Sequence, residues 1–218
     1  MVPALASLQD LELRLLHWIN CEGESPLNDT IANFANDPLF GVPVFILLFL
    51  SVALTAAGRA RLPRVVLTAL VALALVHGVR VVAWRVAPRG RPGTLFAEAQ
   101  ILRGPTDRAT CAEHPKMWVE RGHPPREPSL PSSHVITAAA VAAALCYAAW
   151  WAGALGWLYA LAVGFGRMNW GKHWPTDVLA SLLLGALAGW AAWRLAPGIQ
   201  AYARKRLARR AAGNAPAK

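Results

Sequence analysis

From Leu39 to Ala57 the chain runs without one charged side chain. A helix needs roughly 20 apolar residues to cross a bilayer core, with about 17 as the lower end, so this run is long enough to span. Four more apolar runs follow: Val65 to Ala83, which carries His77 and Arg80 toward its end, Val135 to Trp151, a short run from Ala152 to Phe165, and Val178 to Leu195. Hydrophobic residues make up 56% of the 218 and charged residues 16%, against about 25% charged in soluble domains. The aliphatic content excludes disorder, and three cysteines are too few for a disulfide scaffold. The expected fold is an all-α integral membrane bundle of five or six transmembrane helices, with a long outer loop containing short helices.

The sixth helix turns on the first 20 residues. Leu5, Leu8, Leu11, Leu15, Trp18 and Ile19 recur at helical spacing, but Asp10, Glu12, Arg14 and His17 interrupt them. An in-plane amphipathic helix and a sixth span are both open readings. The early residues lack a basic stretch followed by a clean apolar core, so no cleavable signal peptide is expected. The chain divides into an N-terminal helix and outer segment (1–38), a membrane-embedded domain (39–199) and a basic tail (200–218).

The formal charge is +10. On a soluble domain that excess points to nucleic acid. Here the basic residues cluster between apolar runs, which is how membrane proteins set orientation, and no nucleic-acid partner is expected. Arg59, Arg61 and Arg64 join the first two spans, and Arg204, Lys205, Arg206, Arg209 and Arg210 crowd the tail. Both segments fall on one side by span count and are expected in the cytoplasm. The stretch from Pro88 to Pro131, and the polar segments Ser132-Ser133-His134 and Arg167 to Asp177, then lie on the outer side. Cys21 and Cys111 also fall there, where a disulfide can persist; Cys146 sits in an apolar run and reads as a buried hydrophobe. In the last span Ser181, Gly185 and Gly189 set small side chains four apart, permitting close approach of another helix.

The chemistry concentrates at two helix starts. His134 follows Pro131-Ser132-Ser133 and opens an apolar run, with Ser132 or Ser133 a natural cap. His173 precedes Trp174-Pro175-Thr176-Asp177, and proline marks another first helical turn. Two N-termini, each with a histidine, favour an anion such as phosphate, because free N–H groups and dipole ends point at it. Arg167, Lys172, Arg91 and Arg85 can add charge-assisted bonds to its oxygens. Asp177 lies four residues after His173, a spacing that can place a carboxylate beside the ring and leave the other nitrogen free to attack. His134 would then protonate the departing oxygen.

Pro131-Ser132-Ser133-His134, followed by Gly166-Arg167, five residues, His173, three residues and Asp177, resembles the second and third signature motifs of the type 2 phosphatidic acid phosphatase superfamily. The family pattern has glycine where Ser133 stands and serine where Gly166 stands. Its first motif (lysine, six residues, arginine-proline) is matched in its second half by Arg91-Pro92; Trp84 occupies the lysine position, leaving Arg85, Arg80 or neither as the replacement. The resemblance implies that Arg167 binds phosphate, that His173 forms a phosphohistidine, that Asp177 orients it, and that Ser132, Ser133 and His134 line the phosphate, with His134 the acid.

It also implies metal-independent hydrolysis with no cofactor, and no closely spaced metal-ligand pattern involves His77, His114, His123 or the cysteines. The expected partners are bilayer lipids and a lipid phosphate substrate, with the protein a monomer or weak homo-oligomer in a bacterial inner membrane. Among small bacterial members the implied substrate is undecaprenyl diphosphate. Lipid A phosphate (cleaved or transferred), phosphatidylglycerol phosphate and phosphatidic acid are the alternatives. A lipid-binding or transport protein is the non-enzymatic reading, and it would need an open polar path that the spans, His77 and Arg80 apart, do not provide.

Overall fold

The computed structural model describes residues 3–23, 25–86, 88–92 and 128–213. All regular elements among them are helical. The order is α1 (Pro3–His17) running into a π-helical turn (Trp18–Glu22), α2 (Pro26–Asn36), α3 (Pro38–Leu54), α4 (Ala56–Val86), α5 (Ser133–Cys146), α6 (Trp150–Asn169) and α7 (Pro175–Gly213). Proline stands at the start of α2, α3 and α7, where its missing N–H costs nothing. Ser25 caps α2 by accepting from Asn28 N at 3.1 Å, and Asp37 caps α3 by accepting from Leu39 N at 2.8 Å. The expected loop helices and the Cys21–Cys111 bridge lie outside the described residues.

Among the described residues two helices, Ala56–Val86 and Pro175–Arg209, are long and apolar enough to cross a membrane. The pair Pro26–Asn36 and Leu39–Ala53 makes a third when taken together, bent by 74°. The expected runs at 39–57, 65–83 and 178–195 fall largely within α3, α4 and α7. The run from Val135 to Trp151 does not hold together: α5 ends at Cys146, Tyr147 to Ala149 turn the chain, and Trp150 and Trp151 belong to α6. Neither glycine nor proline marks that turn. Its tightness depends on Gly153 one turn further on, where a Cβ would come within 2.7 Å of Cys146 Cα.

α5 is the hub, wedged among α4, α6 and α7, and Val135 to Leu145 is buried apart from Thr137. Its alanines let the neighbours come close, and α7 answers with glycines. A Cβ on Gly185 would meet Ala139 Cβ at 2.6 Å and Ile136 O at 2.7 Å, and one on Gly189 would meet Ala143 Cβ at 2.5 Å. The small-residue spacing read from the sequence is therefore an interhelical contact. At one end of the bundle Arg61 donates to Ala148 O (3.3 Å), and Arg64 lies 3.5 Å over the Trp193 ring, which stacks on Tyr147. The other end gathers the end of α4, Ser129 to His134, and Arg167 to Asp177.

α1 carries Asp10, Glu12 and Arg14 within its 15 residues and runs straight into the π-helical turn. It buries Glu12 and Leu16, the latter against Trp174, and exposes Leu8, Leu11, Leu15 and, just beyond its end, Trp18. Replacing Gly185 by leucine overpacks the α5–α7 contact and should destabilise the protein by about 1–3 kcal/mol. Gly198, with open space around it, is the control: Gly198→Ala should leave the thermal midpoint in detergent unchanged. Equal midpoints for Gly185→Leu and wild type would refute the contact.

Candidate active site

His173 sits in the short connection between α6 and α7. The chain leaves α6 through Gly171, whose φ of 60° is a left-handed conformation that side chains resist. Gly171 N bonds Met168 O at 2.9 Å and Lys172 N bonds Arg167 O at 3.0 Å, folding the loop back over the helix end. The imidazole is 2% exposed, and its Nδ1 lies 2.6 Å from the Ser129 carbonyl oxygen. A carbonyl only accepts, so Nδ1 carries the proton and Nε2 keeps its lone pair. Burial, then the charges of Arg167 and Arg91, push the ring's pKa far down from 6.5, to about 2, with the Ser129 bond opposing. At neutral pH His173 is uncharged, with its protonated nitrogen fixed on Ser129.

The four-residue spacing expected to bring Asp177 onto that ring brings it instead to the ring's anchor. Asp177 is fully buried; Oδ2 accepts from Ser129 Oγ at 2.5 Å and from Trp174 N at 3.0 Å, and Oδ1 accepts from Arg89 at 2.9 Å. The carboxylate caps α7 and holds Ser129, and the Ser129 carbonyl holds His173. Ser129 escaped sequence reasoning because it works partly through a backbone atom that no side-chain pattern announces. Arg89 was hidden by its neighbour Arg91-Pro92, which matches the motif.

His134 lies in the first turn of α5, ahead of the apolar run, with part of its ring open. Burial and then the charges of Arg167, Lys172, Arg91 and Arg80 lower its pKa from 6.5 to about 4. That set of cations includes one of the two candidates for the first-motif lysine. Arg80, which lies 4.8 Å from the Trp84 ring one turn above it, bears on His134; Arg85 is exposed at the end of α4. Arg167 is 5% exposed and donates to Asn36 Oδ1 at 3.3 Å. Arg91 and Lys172 are half-buried, with Lys172 over the Trp170 ring. Ser132 N donates to Ser181 Oγ at 2.8 Å, while the buried Ser132 Oγ has no partner among the described residues. Ser133 and His134 border a cavity of about 600 Å³ whose remaining wall is mostly apolar, including Phe45, Phe49, Leu73 and Val141.

Gly166, where the motif has serine, is explained by α2. A Cβ there would come within 2.9 Å of Ala32 O and would strike the Asn36 side chain, so glycine lets α2 close on α6 and deliver Asn36 to Arg167.

The depressed histidines make stability pH-dependent. In the unfolded chain each takes a proton near 6.5; in the folded protein each resists it until about 4 (His134) or 2 (His173). Their contribution is full above about pH 6.5 and is lost as pH falls toward the folded values. The thermal midpoint of the ligand-free protein should drop on acidification from pH 7 to pH 4, and His173→Gln should flatten that drop. Parallel curves for the two proteins would contradict the assignment.

Comparison with known proteins bears on the same residues. No curated protein matches the chain. Two crystal structures share its fold. LpxE of Aquifex aeolicus aligns with a TM-score of 0.59 at 22% identity, over 84% of this chain and 95% of the other. A transmembrane PAP2-type phosphatidylglycerolphosphate phosphatase of Bacillus subtilis aligns with a TM-score of 0.51 at 18% identity, over 90% of this chain and 87% of the other. The family model for the PAP2 superfamily matches residues 65–200, a stretch that contains Arg80, Arg91, His134, Arg167, His173 and Asp177. The chain therefore belongs to the PAP2 superfamily, the type 2 phosphatidic acid phosphatases, and is a membrane phosphatase of that family.

Proposed function

We propose that the protein hydrolyses the phosphomonoester of a fatty-acyl lipid, of the phosphatidylglycerol phosphate or lipid A phosphate kind, at the outer face of a bacterial inner membrane. The observation that carries this reading is the meeting of a cation cluster with an apolar cavity at His134. Arg167, Arg91, Lys172 and Arg80 surround the place where a phosphate would sit, and the cavity beside His134 suits the lipid's chains. The phosphatase from Bacillus subtilis that shares the fold points to phosphatidylglycerol phosphate rather than to undecaprenyl diphosphate, which the motifs alone suggested. α5 and α6 are proposed to cross with α3, α4 and α7, giving five spans, and α1 to lie in the interface. The arginine-rich end around Arg59, Arg61 and Arg64 then faces the cytoplasm.

In the proposed mechanism His173 Nε2 attacks phosphorus and the bond to the lipid oxygen breaks. The lipid oxygen takes a proton from His134, and a phosphohistidine remains. Water then attacks that phosphorus, giving its proton back to His134 and releasing phosphate and free His173. His134 is neutral in the empty site, so it must acquire its proton with the substrate. A bound phosphate dianion offsets the cations that depress the ring and raises its pKa. The cations meanwhile carry the charge on the equatorial oxygens.

Phosphate release by the purified protein, assayed on a panel of phosphatidylglycerol phosphate, lipid A, phosphatidic acid and undecaprenyl diphosphate, tests the reading. Release from an acylated monoester should exceed release from the diphosphate; the reverse order would return the assignment to undecaprenyl diphosphate. His173→Ala should abolish turnover while eluting as the wild type does. His134→Ala should lose at least about 100-fold on lipid substrates and recover part of it on p-nitrophenyl phosphate, whose leaving group needs less protonation. Turnover in His173→Ala would dismiss the phosphohistidine.

Single cysteines introduced beside Arg61 and Gly90 test the orientation. A membrane-impermeant reagent added to intact spheroplasts should label the Gly90 site alone, and labelling of the Arg61 site instead would invert the topology.

A further inference from the structure

We propose that Arg89, clamped by Glu12, is a positioning residue that fixes the tautomer of His173 through Asp177 and Ser129. The proposal rests on the phosphatase reading above, and it assigns this arginine a task different from that of Arg91 two residues later.

The guanidinium of Arg89 is already occupied. Nη1 donates to Asp177 Oδ1 at 2.9 Å and to Thr176 Oγ1 at 2.8 Å, and Nη2 donates to Glu12 Oε2 at 2.6 Å. Glu12, 3% exposed, uses its other oxygen to accept from Thr176 N at 3.2 Å and from the Thr176 hydroxyl. One cation thus sits between two buried carboxylates at the start of α7, with the Trp174 ring 4.9 Å away. Such a group has little positive field left for a substrate. The cations that weigh most on the two histidines are Arg167, Arg91, Lys172 and Arg80.

What the clamp controls is Ser129. The backbone oxygen of Arg89 accepts from Ser129 N at 2.7 Å, and the side chain of Arg89 holds Asp177, which accepts from Ser129 Oγ. Ser129 is therefore tied at its amide and its hydroxyl, and its carbonyl is left aimed at His173 Nδ1. A buried carboxylate keeps its place only while its charge is balanced. Without the guanidinium, Glu12 and Asp177 face each other uncompensated and separate, Ser129 is released, and the proton on His173 is free to move to Nε2, the nitrogen that must attack. Glu12 reaches this site from α1, so the N-terminal helix becomes part of the nucleophile's support.

The test combines kinetics with ring-nitrogen NMR on full-length protein in detergent, using dihexanoyl phosphatidic acid and the best lipid of the panel. Arg89→Gln should lower kcat about ten- to hundredfold, the usual loss when a supporting hydrogen-bond partner goes, while KM stays within about threefold. ¹⁵N-histidine spectra should report a single Nδ1–H tautomer for His173 in the wild type and a mixture in Arg89→Gln. Millimolar guanidinium should restore part of the kcat of Arg89→Ala, a recovery that a purely structural role does not allow.

Should Arg89→Gln fail to fold, Ser129→Ala, which keeps the carbonyl and loses only the hydroxyl, and Glu12→Gln carry the test with the same kcat and tautomer readouts. A rise in KM with unchanged kcat in Arg89→Gln would make Arg89 a phosphate ligand and overturn the proposal. A wild-type tautomer with wild-type kcat in Arg89→Gln, or in Ser129→Ala, would overturn it as well. A wild-type protein that releases phosphate from no lipid would defeat the phosphatase reading alone, and the tautomer spectra would still decide the positioning role.

Discussion

The close approach of α5 and α7 is the contact on which the rest of this molecule depends. Inside a bilayer two apolar helices gain nothing by leaving lipid for each other, so their association has to come from packing and interhelical hydrogen bonds. Gly185 and Gly189 set against Ala139, Ala140 and Ala143 supply the packing. Ser181 supplies the bond between them, accepting from Ser132 N at 2.8 Å, while its hydroxyl donates within α7 to Asp177 O at 2.6 Å. The consequence is that two helix N-termini, one carrying Ser132 and His134 and the other Asp177 just after His173, open side by side. Any side chain at Gly185, even a methyl, would push α7 away from α5 and so part His134 from His173.

That arrangement gathers positive charge at one place. Burial, together with the charges of Arg167, Arg91, Lys172 and Arg80, keeps both histidines neutral. A fifth cation, Arg89, is balanced by Glu12 and Asp177. That balance explains why two arginines so near in sequence differ in task. Arg89 points back into a carboxylate pair, and Arg91 contributes to the field over the histidines. In the proposed mechanism an entering phosphate offsets that charge and allows His134 its proton, so binding and readiness for catalysis are one event.

Much of this was legible before any coordinates. Histidines, an arginine and an aspartate placed beside apolar runs are costly in a membrane and so signal chemistry, and the order of the two motifs named the family. Arg80 was legible in principle, since it sits one helical turn from Trp84 and so shares its face. The turn after Cys146 was not, because Tyr147-Ala148-Ala149 is as apolar as its flanks and the tightness comes from a glycine further on. Nor was the partnership of His173 and Ser129, which is made by a backbone oxygen across 44 positions of sequence. The reason for glycine at 166 lies in α2, more than a hundred residues away, which local pattern does not reach. The substrate was the weakest reading for a different reason: motifs specify how phosphate is handled and are silent on the lipid.

Burial bears on the N-terminal helix, where hydropathy left two readings open. In water an amphipathic helix turns its leucines inward and its charges out. α1 does the reverse over part of its surface: Leu8, Leu11 and Leu15, with Trp18 following, are exposed, while Glu12 is buried against Arg89 and Thr176. Asp10 and Arg14 are exposed on the same helix, charges that a spanning segment would have to place in lipid. Both observations are satisfied if α1 lies along the interface, with its leucines against lipid and its glutamate turned into the protein. The bilayer then acts as one wall of the active-site support, because the apolar face that it covers is what keeps Glu12 pressed against Arg89.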